Sequence, residues 1–179
     1  MTGRMTLLPP KDLRATSRID HADWNYRPVL GYVQRRRFSL IRRLMGERRF
    51  RSLLEIGYGS GIFLPELARH ADNLVGIDVH EYRDQVQEIL RRHRVEATLV
   101  TAGAEAMPFE DRSFDAVICV STIAFIEDLS AACLELLRVL REDGRIFVVT
   151  PGHSPVVDAA LFLATGESAD TDYGRRREA

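Results

Sequence analysis

The sequence predicts a doubly wound α/β domain with a mainly parallel sheet of about five strands. Short apolar runs alternate along the chain with segments of helical period, the runs are apolar on both faces, and glycines follow the first run directly. With 179 residues, of which 45% are hydrophobic and 28% charged, the chain has apolar material for one core, so a single domain is expected.

Residues 1–20 carry Pro9, Pro10 and scattered charge without a sustained period, and read as a loose leader. From Pro28 to Met45, the residues Val29, Leu30, Val33, Phe38, Ile41, Leu44 and Met45 recur at spacings near three and four, interleaved with Arg35, Arg36, Arg37, Arg42 and Arg43. That is an amphipathic helix with a basic outer face, read as solvated surface in preference to a membrane or nucleic-acid surface. Strands are then expected over residues 52–56, 73–77, 97–101, 114–120 and 145–150, with helices over 62–70, 81–94 and 129–140. Pro65 is tolerable in the second helix because it falls in the first turn. Residues 155–165 read as a last helix stopped by Gly166, followed by a short polar element ending in Arg175, Arg176 and Arg177. The organisation expected is a leader over 1–27 that serves as an active-site cover, a ligand-binding domain over 28–154 and a short helical segment over 155–179.

Charge and cysteine usage narrow the function classes. Twenty-five Lys plus Arg against 26 Asp plus Glu leave a net charge of -1, so nucleic acid is not an expected partner. Cys119 and Cys133 lie in apolar runs without ligand spacing and are expected to be buried free thiols. No run approaches a membrane span, and the N-terminus lacks a secretory apolar core, so a cytoplasmic protein is expected. His21, His70, His80 and His93 have no metal spacing, and no metal is expected.

The stretch Leu53-Leu54-Glu55-Ile56-Gly57-Tyr58-Gly59-Ser60-Gly61 carries the chemistry. Glycines at alternate positions after a strand let the backbone turn tightly and bring N–H groups close to a ligand. Glu55, two residues before the first glycine, suits a ligand with a cation there. Asp78 ends the next strand about 20 residues on, where a carboxylate accepts hydrogen bonds from ribose hydroxyls. A cap on the helix beginning near Glu81 is the other reading of Asp78.

Four segments together, LLEIGYGSG, VGIDVHE, AEAMPFEDRSFDAVICV and LLRVLREDGRIFVVTP, resemble the class I S-adenosylmethionine-dependent methyltransferases, in particular the group that includes ubiquinone and menaquinone biosynthesis enzymes. The resemblance implies a Rossmann-like fold and methyl transfer from S-adenosylmethionine to a small-molecule acceptor, leaving S-adenosylhomocysteine. It implies that Glu55, Gly57, Tyr58, Gly59 and Gly61 surround the methionine part, with Glu55 helping to hold the ammonium group. Asp78 would bind the ribose, with Val79 and His80 beside the adenine, and Ser121 would border the methionine end and the acceptor. Where the family's third strand is followed by an aspartate that meets the adenine amino group, this chain has Gly103, so adenine recognition is expected to rest on backbone groups of Ala104 and Glu105 or to be weaker. His153 is the candidate general base if the acceptor must lose a proton. Trp24 and Tyr26 belong to a region that in similar enzymes covers cofactor or substrate; packing against the domain is the other reading.

Similar enzymes continue through two more strands to a seven-stranded sheet, for which the residues after Thr150 offer no pattern. The fifth strand is thus expected to be an edge covered by the C-terminal helix or by a second copy in a homodimer. Two other functions share these features. One is a non-catalytic protein of the same fold that binds S-adenosylmethionine or S-adenosylhomocysteine as a scaffold or regulatory subunit. The other is a nicotinamide-dependent oxidoreductase, disfavoured by the GxGxG spacing and by Glu55.

Overall fold

The computed structural model describes residues 5–17, 20 and 22–150. His153, the helix expected over 155–165 and the terminal arginines lie outside the described residues.

The sheet has five strands, all parallel, in the order β3-β2-β1-β4-β5. Helix α1 is Pro28–Met45, with its proline in the first turn, where a missing N–H leaves no hydrogen bond unmade. It is followed by β1 (Phe50–Ile56), α2 (Leu64–Leu67), β2 (Ala71–Asp78), α3 (Arg83–Arg92), β3 (Thr98–Thr101), β4 (Phe114–Val120), α4 (Leu129–Val139) and β5 (Leu140–Val149). The chain moves outward from β1 through β2 to β3, then returns to the other side of β1 for β4 and β5, so the strand order reverses between β1 and β4. Open parallel sheets form a crevice at such a reversal.

The period of two along each strand divides the core. Leu53, Leu74, Ala116 and Ile118 join Phe38, Ile41 and Met45 of α1 and Val86, Ile89 and Leu90 of α3 on one face. Their neighbours Leu54, Ile56, Val75, Ile77 and Val117 pack with Ala132 and Val139 of α4 on the other. Burying both faces is what makes these strands read as continuous apolar runs.

Several expectations change. The helix expected over 62–70 is a single α-turn, α2, which starts two residues later at Leu64 and tightens to a 3-10 turn at Ala68–His70 directly before β2. Leu44 faces solvent, whereas Leu30, Phe38, Ile41 and Met45 are buried. Cys119 is a buried free thiol as expected, but Cys133 is exposed; the core-facing position of α4 there is Ala132, about 100° around the helix from it. The arginines of α1 are not all solvated: Arg35 donates to the Asn25 carbonyl, Arg37 to Ser121, and Arg42 pairs with buried Glu66 at 3.7 Å.

The leader residues that are described lie against the domain. Leu8 is buried and its N–H donates to the Ile62 carbonyl at 3.2 Å. Thr6 N–H donates to Glu66 Oε2 at 2.7 Å, and Tyr26 Oη donates to the Leu8 carbonyl. His93 Nε2 contacts Asp12 Oδ2 at 2.8 Å, and that hydrogen bond holds the Asp12 carboxyl below its ordinary range.

On the β5 side, β4 is the only pairing partner of β5 among the described residues. No described helix is long and apolar enough to cross a membrane.

Candidate functional site

The strand ends Glu55–Ile56, Ile77–Asp78 and Val120–Ser121 open into a cleft of about 800 Å³, a size suited to a ligand of several hundred daltons. Four of its sides come from the loop after β1, the turn after β2, the turns after β3 and β4, and the face of α1 with the leader.

The glycine loop is shaped by its backbone. Gly57 has φ +76°, and a Cβ there would lie 2.1 Å from Thr122 Oγ1, so the site excludes every other residue on conformation and on space. Its N–H donates to the Ile77 carbonyl at 2.8 Å, tying the start of the loop to β2. Gly59 has φ +50°, and its N–H donates to Asp78 Oδ2 at 2.8 Å. The other oxygen, Oδ1, accepts the Val79 N–H at 2.8 Å. Asp78 therefore does not cap α3, whose N-cap is Tyr82; it joins the glycine loop to the end of β2. A carboxylate has about four acceptor sites, so two main-chain donors leave capacity for hydroxyls.

His80 closes the same loop. Its Nδ1 accepts the Tyr82 N–H at 3.1 Å, so the other nitrogen, Nε2, carries the proton and donates to the Gly59 carbonyl at 3.0 Å. Both ring nitrogens are thereby used, and His80 acts as a latch on the loop. The Tyr58 ring lies edge-on to His80 at 4.9 Å and is 3% exposed, packed over Gly76 beneath the loop. Burial, with a smaller contribution from Asp78, pushes the Tyr58 hydroxyl pKa up.

Glu55 is 4% exposed at the end of β1. Burial, and secondarily the charge of Asp78, push its carboxyl pKa up to about 8. Its Oε2 lacks a hydrogen-bond partner, as do Asn25 Oδ1, Tyr58 Oη and Ser60 Oγ, and all four of these residues border the cleft. Buried polar atoms are nearly always paired, so four orphans around one crevice mark where a polar ligand belongs.

Residues from the α1 side complete the opposite wall. Ser121 has φ +60°, a conformation that costs a serine energy and recurs at functional sites; its N–H is fixed to the Val149 carbonyl at 2.7 Å and its Oγ accepts from Arg37 Nη1 at 2.9 Å. Arg37 is further placed by a bond from Nε to the Gln34 carbonyl at 3.0 Å and by the Phe38 ring, 5.3 Å from its guanidinium carbon. Arg37 is the sole arginine or lysine bordering the cleft among the described residues, against the carboxylates of Asp20, Glu55, Asp78, Glu105, Glu127 and Asp128.

Of the positions singled out from the sequence for the site, Trp24, Glu55, Gly57, Tyr58, Gly59, Asp78, Val79, His80, Ala104, Glu105 and Ser121 border this cleft; Gly61, Gly103 and Tyr26, whose hydroxyl donates to the Leu8 carbonyl, do not, and His153 lies outside the described residues. Gly61 instead turns the loop into α2, with φ +73° and its N–H on the Tyr58 carbonyl at 2.8 Å. Arg37, Gln34, Asn25, Thr16 and Asp20 also border it and carried no sequence signal of their own. The spacing of Gln34, Arg37 and Phe38 puts two polar side chains on the buried stripe of α1, a pattern that marks them once the helix is drawn. Asp20 reaches the glycine loop because Thr16 holds its Oδ2 through N–H at 3.0 Å and Oγ1 at 2.9 Å, leaving the carboxyl carbon 3.7 Å from the Cβ position of Gly59. Among the described residues no group of His, Cys, Asp and Glu is arranged to hold a metal.

Comparison with known proteins bears on the fold and the family. A methyltransferase-domain family model matches residues 54–148, a little over half of the chain. A demethylmenaquinone methyltransferase of Roseiflexus castenholzii is 34% identical over 94 residues, 52% of this chain and 40% of that protein. An uncharacterised methyltransferase of Bacillus subtilis, YcgJ, is 30% identical over 110 residues, 59% of this chain and 44% of that protein. The crystal structure of YcgJ superposes with a TM-score of 0.62 at 26% identity, covering 69% of this chain and 55% of that one. This chain thus spans under half the length of these two curated relatives. A five-stranded parallel sheet reversing at its glycine loop, an acid ending each of the first two strands, and a family model that spans all but the leader and α1 side of this cleft lead to one assignment: the chain belongs to the class I S-adenosylmethionine-dependent methyltransferase family.

Proposed function

We propose that the chain binds S-adenosylmethionine across the ends of β1, β2 and β4 and transfers its methyl group to a small-molecule acceptor. The observation that carries this reading is the buried Glu55 carboxyl, its Oε2 without a hydrogen-bond partner, in a cleft whose far wall holds Arg37. An acid and a guanidinium on facing walls of a crevice match the ammonium and carboxylate of an α-amino acid, and Asp78 at the end of the neighbouring strand matches a ribose. S-adenosylmethionine supplies, when bound, a methyl group on a positively charged sulfur that a nucleophile displaces in line.

The residues of the chain position and enclose. Glu55 gives up its proton to face the ammonium group, which offsets the burial that otherwise keeps it neutral. Arg37, oriented by Ser121 and Gln34, takes the carboxylate in a fork geometry that lysine cannot supply. Asp78 keeps its two main-chain bonds and accepts the ribose hydroxyls with its remaining lone pairs. The acceptor approaches from the side of Trp24, Ser121 and Phe125, where the leader turn and α1 limit water. Alignment of two bound molecules supplies several kcal/mol toward such a displacement without an acid or base.

Titration calorimetry with S-adenosylmethionine, S-adenosylhomocysteine and NAD tests the reading. Micromolar binding of the two sulfur nucleosides and none of NAD is expected; NAD binding alone, or no binding of either sulfur nucleoside, overturns it. Methyl transfer itself is tested by incubating the protein and labelled S-adenosylmethionine with a panel of phenolic and quinol acceptors.

A further inference from the structure

Asp20 brings a negative charge to the glycine loop from the leader, and nothing on the protein answers it. Its carboxylate is half-buried in the cleft wall, with Oδ2 accepting from Thr16 N–H at 3.0 Å and from Thr16 Oγ1 at 2.9 Å. Among the described residues no arginine, lysine or histidine pairs with it, and Arg37 is turned to Ser121. The three heavy atoms nearest the Cβ position of Gly59 are Asp20 Oδ2, Cγ and Oδ1, at 3.6, 3.7 and 3.7 Å, so the carboxylate presents its plane to the loop. Next to Gly59, Ser60 Oγ is 2% exposed and has no hydrogen-bond partner, which marks this stretch of the loop as one that faces a polar ligand. The acids on the far side are placed differently. Glu105 and Asp128 are tied to the turns after β3 and β4, through the Glu127 N–H at 3.0 Å and the Ala131 N–H at 2.9 Å, and Glu127 is exposed.

Glu55 lies two residues before Gly57, and Asp78 holds the Gly59 N–H at 2.8 Å. A ligand with its amino-acid part at Glu55 and its sugar at Asp78 therefore runs its connecting piece along Gly57 to Gly59, and in S-adenosylmethionine that piece is the sulfonium. We propose that Asp20 is the counter-ion of the sulfonium, so that a charge supplied by the leader biases the site toward S-adenosylmethionine over S-adenosylhomocysteine. The inference rests on the proposed cofactor and adds the residue that tells it from its product. When the methyl group moves to the acceptor, the carbon–sulfur electron pair stays on sulfur, which becomes neutral, and the attraction to Asp20 ends with the charge. The same attraction stabilises the ground state more than a transition state in which that charge is leaving, so it favours exchange of product for fresh cofactor and not the chemical step.

The test is titration calorimetry of S-adenosylmethionine and S-adenosylhomocysteine on the unmodified protein and on Asp20→Asn. Asparagine keeps an acceptor for both Thr16 donors, so the leader turn retains its hydrogen bonds and only the charge is removed. The ratio of the two dissociation constants is expected to shift roughly tenfold toward S-adenosylhomocysteine, the size of one charge pair at about 4 to 5 Å in a half-exposed cleft. The shift is expected to come from weaker S-adenosylmethionine binding, and retained S-adenosylhomocysteine binding is at the same time the control for an intact site. A shift toward S-adenosylhomocysteine smaller than about threefold overturns the inference, whether the two ligands weaken together, are both lost or are both unaffected. Parallel weakening is what a contact with the ribose or a purely structural role gives, since both ligands share every group except the charged sulfur and its methyl. Failure of the unmodified protein to bind either sulfur nucleoside overturns the proposed function as well, whereas binding of both with an unaltered ratio in Asp20→Asn overturns this inference alone.

Discussion

Glu55 makes ligand affinity depend on pH, with a sign and size that follow from its surroundings. Its pKa of about 8 in the free protein comes chiefly from burial and then from Asp78. The carboxyl is therefore about 1% ionised at pH 6 and about a quarter ionised at pH 7.5. If the ligand's ammonium requires the ionised form, the apparent dissociation constant is the intrinsic one divided by the ionised fraction. S-adenosylhomocysteine is then expected to bind about 20-fold tighter at pH 7.5 than at pH 6, with release of nearly one proton per ligand at the lower pH. The measurement is calorimetry at several pH values in two buffers of different ionisation enthalpy, which counts the protons directly. Glu55→Gln is expected to bind more weakly at pH 7.5 and to lose the pH slope and the proton release. Affinity constant within twofold from pH 6 to 7.5, with no proton exchanged, would refute the reasoning and mean that the acid does not meet a cation.

The same carboxyl makes the ligand-free fold less stable as pH rises. The folded acid keeps its proton up to about 8, whereas the unfolded one releases it near 4.5, so stability from this group is present below 4.5 and lost through that window. Denaturation curves should show unmodified protein losing up to about 3 to 5 kcal/mol relative to Glu55→Gln between pH 4.5 and 8. Gly57→Ala, which meets Thr122 at 2.1 Å and adopts a positive φ, is expected to cost about 2 to 4 kcal/mol in urea titrations. Gly59→Ala, whose Cβ would have only ordinary contact with Asp20 at 3.6 Å, should cost about 1 kcal/mol. Asp78→Ala is expected to weaken S-adenosylhomocysteine binding by about 1 to 3 kcal/mol and to speed hydrogen exchange at the Gly59 amide; exchange alone, with affinity unchanged, would confine the acid to the loop. Arg37→Gln should lower affinity for S-adenosylhomocysteine about tenfold while leaving 5′-methylthioadenosine, which lacks the amino-acid part, unaffected.

Where sequence and structure agree, the information was local. Strand β4 and helix α1 have the bounds expected, because seven consecutive apolar-rich residues and an eighteen-residue helical period are complete in themselves. Strand β5 has its expected core at residues 145–149 but starts at Leu140, after a register shift against β4 that no local pattern carries. The second helix starts two residues later than expected and tightens to a 3-10 turn after Leu67, a change of hydrogen bonding that apolar periodicity does not record.

Glu55, the glycines and Asp78 could be read directly from the chain, since a parallel strand delivers the residue at its carboxyl end to the crevice whatever the rest of the fold does. Tertiary structure alone decided that Arg37, written into a run of arginines on one helix, turns inward to Ser121, that Asp20 in the leader reaches the glycine loop, and that Glu105 covers Gly103. Each of those meetings joins elements separated in sequence or set by a side-chain rotamer, and periodicity records neither which face of a helix is buried against a strand end nor how far a flexible acid extends.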